Sequence, residues 1–180
     1  MKRAPSFRLG LALISAAPSL VWAQASAAPT GVRAELLAQL NDAAGKLEQL
    51  GEAIPQDKLA WRPGTGVRSV GEVLMHVTGA NYYIPTFAGV KAPADAPQGE
   101  NVTDRAQAIQ QMRRSFDHVR TVIRNMSDAD LDKPTTMFGQ QTTYRGVLLT
   151  TVTHAHEHLG QLIAYARSNG VTPPWSRGAQ

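Results

Sequence analysis

Three of the five histidines in this 180-residue chain fall within five consecutive residues, His154, His156 and His158. On an α-helix each residue advances about 100°, so His154 and His158, four apart, stack on one face while His156 points nearly the opposite way. Neutral imidazole is a common ligand for zinc and similar ions, and two imidazoles one helical turn apart are a metal-binding spacing. The chemistry on offer is therefore Lewis acidity. It is not that of a zincin protease, which needs a glutamate general base directly after its first histidine. Ala155 stands at that position.

A helix has to carry this pair, and its inward stripe is legible. Leu148, Val152, Ala155, Leu159, Leu162 and Ala166 recur three and four apart, and His154 and His158 flank that seam. His156, beside Glu157, reads as solvated surface. A third ligand has to come from elsewhere, and only His76 and His118 remain. The segment Ser69-Val70-Gly71-Glu72 is a capping box, which starts a helix whose buried stripe is Val70, Val73, Leu74, Val77, Ala80 and Ile84. His76 sits at the margin of that stripe, as His154 and His158 do on theirs, and is the third candidate. Taken alone it would read as a core-edge histidine bonded to a carbonyl. His118 faces away from the seam of its own helix and reads as surface.

Two further helices complete a bundle. One runs from a Thr30 cap through Val32, Leu36, Leu37, Leu40, Ala43, Leu47 and Leu50 to Ile54-Pro55. The other starts at Thr103 or Asp104 and carries Ile109, Met112, Phe116, Val119, Ile123 and Met126. The fourth helix starts near Thr142 or Thr143 and stops at Asn169-Gly170. Between them, residues 55–68 form an irregular connection with Trp61, the proline- and glycine-bearing 91–101 segment is a loop that could cover a site, and 127–141 reads as a polar connection with a short turn at 127–131. The expected class is all-α, a four-helix bundle with a metal site between its second and fourth helices. Glu72, one turn before His76, is a candidate to orient that ring. Tyr83 and Tyr165 share the ligand faces, and aromatics at 61–66 or 82–87 are candidate pocket walls.

Residues 1–25 read as a secretory signal peptide: Lys2, Arg3 and Arg8 precede a short apolar run, with small residues at Ala23 and Ala25 for cleavage. The expectation is a periplasmic or secreted protein, a bundle domain over 26–180, and no stable membrane insertion of the mature form. Removing the leader takes three basic residues and no acid from a formal charge of +4, leaving +1. The balance then gives no reason to expect nucleic acid as a partner. No cysteine is present, which excludes disulfides, thiolate ligands and a cysteine nucleophile. About 155 mature residues suffice for one core.

Four such helices, with one histidine on the second and a His-x-x-x-His pair on the last, resemble the DinB superfamily of metal-binding four-helix bundles. The resemblance rests on Pro55-x-Asp57-Lys58-Leu59-x-Trp61-Arg62-Pro63, on Ser69-Val70-Gly71-Glu72-Val73-Leu74-x-His76-Val77, on His154-x-x-x-His158-Leu159-Gly160-Gln161-Leu162, and on the tail Asn169-Gly170-Val171-x-Pro173-Pro174. It implies that His76, His154 and His158 are three metal ligands, with zinc or nickel as the ion, and that the chain forms a homodimer. It also implies relatedness to thiol-dependent transferases and isomerases in which a metal holds a thiolate. Two features depart from those relatives: Leu159 stands where a basic residue is frequent, and the leader directs the chain away from the cytoplasmic thiols. The expected function is that of a metal-dependent hydrolase or transferase on a small molecule of unknown identity. The alternative is a non-catalytic bundle that binds metal or a small ligand, and a purely structural bundle is the plainest reading.

Overall fold

The computed structural model describes residue 1 and residues 28–176; the leader read over residues 1–25 and its cleavage point fall, Met1 apart, outside the described residues. Four helices make the frame: α1 Gly31–Ala53, α2 Val70–Tyr83, α3 Arg105–Asn125 and α4 Tyr144–Ser168. Helices α1 and α2 lie at opposite corners, and α3 and α4 each pack against both. That arrangement puts α2 beside α4, which is what brings distant histidines within reach of each other.

The helical periods found in the sequence are the buried stripes of the bundle. Leu40, Leu47 and Leu50 from α1, Leu74 from α2, Met112 and Phe116 from α3, and Leu148 and Leu162 from α4 are fully enclosed. Val32 and Ala80 are exceptions: Val32 is exposed in the first turn of α1 ahead of the first buried residue, Leu36, and Ala80 is only half-buried.

Helix ends follow local chemistry. Ile54 precedes Pro55, whose ring disfavours the helical region for its neighbour, and Ile54 turns extended at ψ 124°. The Arg105 guanidinium then donates to the free carbonyls of Glu52 and Ile54 at 3.0 and 2.8 Å, tying the start of α3 to the end of α1. The expected capping box of α2 is formed: Glu72 N donates to Ser69 Oγ at 3.2 Å and Ser69 N to Glu72 Oε2 at 2.7 Å. Asp104 and Thr143 cap α3 and α4. The 55–68 connection is ordered, because Val70 N and Gly71 N donate to Trp61 O and Leu59 O. Gly71 permits this approach; a Cβ there would stand 3.0 Å from Leu59.

The 127–141 connection is more structured than its sequence suggests. The short turn is present at Asp128–Asp130, but β1 Pro134–Met137 and β2 Gln140–Thr143 then form an antiparallel hairpin, pairing Pro134 with Thr143 and Met137 with Gln140. Phe138 and Gly139 make its two-residue turn with φ of 52° and 79°, the positive pair that a type I′ turn requires. Phenylalanine is not a usual residue there, so the sequence carries no Asn-Gly signal. Thr135 Oγ1 donates to Phe87 O at 2.7 Å and anchors the hairpin to the 3-10 turn Ile84–Ala88 that follows α2. The class remains helical, with this hairpin added. Among the described residues, no helix is long and apolar enough to cross a membrane.

Candidate metal centre

The α2–α4 seam brings together the three histidines selected in the sequence. His154 Nε2 lies 3.2 Å from His76 Nε2 and 3.2 Å from His158 Nε2. One ring nitrogen from each residue falls within 4.8 Å of the other two. The far side of two rings is fixed: His76 Nδ1–H donates to Glu100 Oε1 at 2.8 Å, and His158 Nδ1–H donates to Gln161 Oε1 at 2.7 Å. Both acceptors lack a proton to give, so each neutral ring carries its hydrogen on Nδ1 and its lone pair on Nε2.

That tautomer assignment leaves an electrostatic conflict among the protein atoms. Two lone pairs face His154 Nε2, which owns at most one hydrogen, while His154 Nδ1 is buried without a protein partner. A cation at the point of convergence would resolve it. Nitrogens bonded tetrahedrally to an ion at 2.0–2.1 Å stand about 3.3–3.4 Å apart, close to the 3.2 Å found here. The residues fit a divalent metal that accepts nitrogen ligands.

Their protonation agrees. Burial, reinforced by the positive fields of His158, His76 and Arg68, pulls His154 down to about 4. Burial also lowers His76, against the opposing hydrogen bond to Glu100. Both rings are neutral at pH 7 and free to ligate. Burial alone would raise the Glu100 carboxyl, but hydrogen bonds from Arg68 and His76 outweigh it and hold it below the ordinary range.

Support extends one layer further out. Arg68 Nε donates to Glu100 Oε2 at 2.7 Å, Gln161 Nε2 to the Tyr165 hydroxyl at 2.9 Å, and Tyr165 back to Arg68 O at 3.2 Å. Trp61 packs edge-on against Tyr165 with ring centroids 5.3 Å apart. Glu72, expected to orient His76, does not; its carboxylate is committed to the α2 cap and to Arg62 Nη2 at 3.1 Å. Glu100 takes that role from the 91–101 loop, which does cover the site. Gln161 was given no role in the sequence, although its place three residues after His158 on the same helix was a signal that could have found it. Glu100 was not legible, because nothing in a proline- and glycine-bearing loop fixes which side chain turns inward.

The other two histidines stay apart from the cluster, yet neither is the solvated residue expected. His156 is half-buried, with its Nδ1–H donating to Val152 O at 2.9 Å. His118 is half-buried against Tyr82, ring centroids 5.2 Å apart, and burial lowers its pKa. Beside the cluster lies a cleft of about 600 Å³, lined by His76 and His154 and by Tyr82 and Tyr83 from the expected aromatic segment. Trp61 is not among its walls.

The DinB superfamily's sequence model matches residues 27–162. Solved structures of DinB-like proteins share the fold. One from Bacillus cereus ATCC 10987 has a TM-score of 0.67 and 19% identity over 77% of this chain and 93% of its own. YjoA from Bacillus subtilis has a TM-score of 0.63 and 18% identity, over 77% and 93%. YfiT from Bacillus subtilis, described as a probable metal-dependent hydrolase with an unusual four-helix bundle topology, has a TM-score of 0.61 and 16% identity, over 78% and 89%. Among curated proteins no match is found. At these identities the likeness to solved structures carries the fold alone, and it is the match over 27–162 that decides membership: the chain belongs to the DinB superfamily.

Proposed function

We propose that His76, His154 and His158 are the ligands of a divalent metal ion, zinc or nickel, in a metal-dependent hydrolase or transferase acting on a small molecule. The observation that carries this is the convergence of three ring nitrogens, with outer hydrogen bonds aiming the lone pairs of two of them, His76 and His158, at the third. When bound, such an ion supplies Lewis acidity at a coordination position that three histidines leave open. Glu100 and Gln161 hold two rings in the ligating tautomer, and the adjoining cleft gives a small molecule access to His76 and His154. That YfiT, of the same fold, is described as a probable metal-dependent hydrolase agrees with this reading.

One observation favours a second reading, a protein that binds metal without turnover. Among the described residues Glu100 is the one carboxylate lining the cleft and is committed to Arg68 and His76, so no free carboxylate of theirs stands there as a general base. Exchange of the bound ion for cobalt separates the two. An enzyme keeps activity on a screened substrate; a sequestering protein turns none over.

The experiment for the site is metal content by elemental mass spectrometry, on protein purified without a metal-affinity tag. Wild type and His156→Ala should hold near-stoichiometric metal, and His76→Ala, His154→Ala and His158→Ala should lose it. Absence of metal from wild type, or equal loss in His156→Ala, overturns the assignment. The leader read over residues 1–25 supports the further proposal that the mature protein lies in the periplasm or outside the cell, and the family resemblance the proposal that it is a homodimer. Mass spectrometry of the exported chain should find cleavage after Ala25, and sedimentation should find twice the chain mass.

A further inference from the structure

The cleft beside the histidine cluster has a composition unlike the cluster's own. Its walls are largely apolar, with Met75, Ala80 and Ile84 from the α2 side, Pro97 from the covering loop and Phe138 from the hairpin tip. Among the described residues no lysine or arginine lines it. Its carboxylate, Glu100, is neutralised by Arg68 at 2.7 Å and by its bond to His76. A volume of about 600 Å³ lies within the range of small-molecule sites.

Its rim is built at a cost. Phe138 holds φ at 52°, a region that bulky side chains avoid, and is 60% exposed. Tyr83 is 56% exposed beside it. With Phe87 these rings form one cluster, centroids 5.0 Å apart for Phe87–Phe138, 5.3 Å for Tyr83–Phe87 and 6.3 Å for Tyr83–Phe138. A turn that needed only its backbone shape would be better served by asparagine at 138. The strained, exposed ring is explained if it contacts something outside the fold.

We infer that this cleft takes an uncharged small molecule whose bulk is aryl or alkyl, lodged against Tyr83 and Phe138 next to His76 and His154. Among the described residues the walls offer an anionic molecule no free cation, so it could pair only with the metal itself, and a cationic one would face that metal's charge. The inference names a substrate class for the proposed metal site, and it rests on that reading for the occupant being a substrate.

The test uses two probes with one skeleton, neutral N-phenyl-1-naphthylamine and its sulfonated analogue 1-anilinonaphthalene-8-sulfonate. Each is titrated by fluorescence into zinc-loaded and metal-stripped protein, with metal content measured on the same samples. The neutral probe should bind one per chain in both forms and at least about tenfold tighter than the sulfonate. Phe138→Asn, which suits the turn and so keeps the fold, should weaken the neutral probe about fivefold while leaving the melting temperature unchanged or raised. Ala80→Glu, which puts a carboxylate in the wall, should weaken it further. Equal binding of the sulfonate, no effect of Phe138→Asn, or several neutral probes per chain would overturn the inference. So would a dimer that Phe138→Asn dissociates, because a second copy would then own the aromatic rim. Selective probe binding to a wild type that holds no metal sinks the three-histidine reading instead and leaves the cleft's preference standing.

Discussion

Helix α2 is flanked by two seams that look alike by burial and differ in what their polar groups do. Toward α3 it presents Asn81, whose amide donates to Ser115 Oγ at 3.0 Å, which in turn donates to Met112 O at 2.7 Å; Tyr82 meets His118 nearby. Toward α4 it presents His76 to His154 and His158. Both seams hold a half-buried histidine whose pKa burial depresses. In the α3 seam the Asn81 amide nitrogen and the Ser115 hydroxyl are spent on neighbouring protein atoms, Asn81 Oδ1 and His118 Nε2 are buried without a protein partner, and the lone His118 ring meets no other histidine. In the α4 seam outer acceptors push the lone pairs inward onto one another. A depressed histidine pKa therefore does not mark a site by itself. Convergence of ring nitrogens, with their opposite sides held, does.

The sharpest way to break this comparison is to load each seam with metal. Zinc at a thousand times its dissociation constant should stabilise wild type by about 4 kcal/mol, read as a rise in melting temperature. His118→Leu should keep that rise and His154→Ala should abolish it. A rise surviving in His154→Ala would mean that the ion sits elsewhere. A smaller effect is expected one layer out: Glu100→Gln, which keeps the size but weakens the acceptor for His76 Nδ1–H, should lower metal affinity about 10–100-fold. Competition with a chromogenic chelator measures it, and an unchanged affinity would reduce Glu100 to a partner of Arg68.

In the α3 seam the expected change is in stability alone. Ser115→Ala leaves the buried Asn81 amide without its acceptor and should cost about 1–3 kcal/mol in urea unfolding, with metal affinity unaltered. A loss of metal in this variant would show that the seams are coupled. The two seams should share an acid limb. In metal-free protein the folded pKa values of His154, about 4, and of His76 and His118 lie below the value of about 6.5 for an exposed imidazole. The unfolded chain then binds more protons below that pH, so this contribution to stability is present above about 6.5 and is lost as pH falls toward 4. His118→Leu should flatten the slope between these limits only in part, and bound metal should steepen it, since protons compete for the same nitrogens. The least effect belongs to His156→Ala, within about 0.5 kcal/mol of wild type, because the backbone carbonyl it bonds lies within its own helix.

Much of the molecule was readable because helical periodicity is a local property. The stripes of α1 to α4, the Ser69–Glu72 cap and the stop at Gly170 each depend on residues within a turn or two of one another. The pair His154 and His158 is legible for the same reason, since four residues always span about one turn. His76 was selected by its place at a stripe margin, a position that α4 shares. The hairpin was missed because Phe138 occupies a turn position whose ordinary signature is asparagine, and tertiary contact through Thr135 and Phe87 holds it. His118 and His156 were assigned to solvent because a face on one helix does not reveal how far the neighbouring helix overhangs it.

The amino-acid sequence alone determined four amphipathic helices, the capping box of α2 though not a cap at Thr30, whose side chain makes no capping bond, and the three imidazoles placed to ligate, since these follow from spacing along a chain of known pitch. Only the tertiary structure decided that α2 lies against α4 rather than α1, and that Glu100, 24 residues beyond His76, turns its carboxylate onto that ring. It also decided that an apolar cleft rimmed by Tyr83 and Phe138 opens beside the cluster. Those features depend on contacts between residues far apart in the chain, where the free energy of packing, and no local preference, chooses the partner.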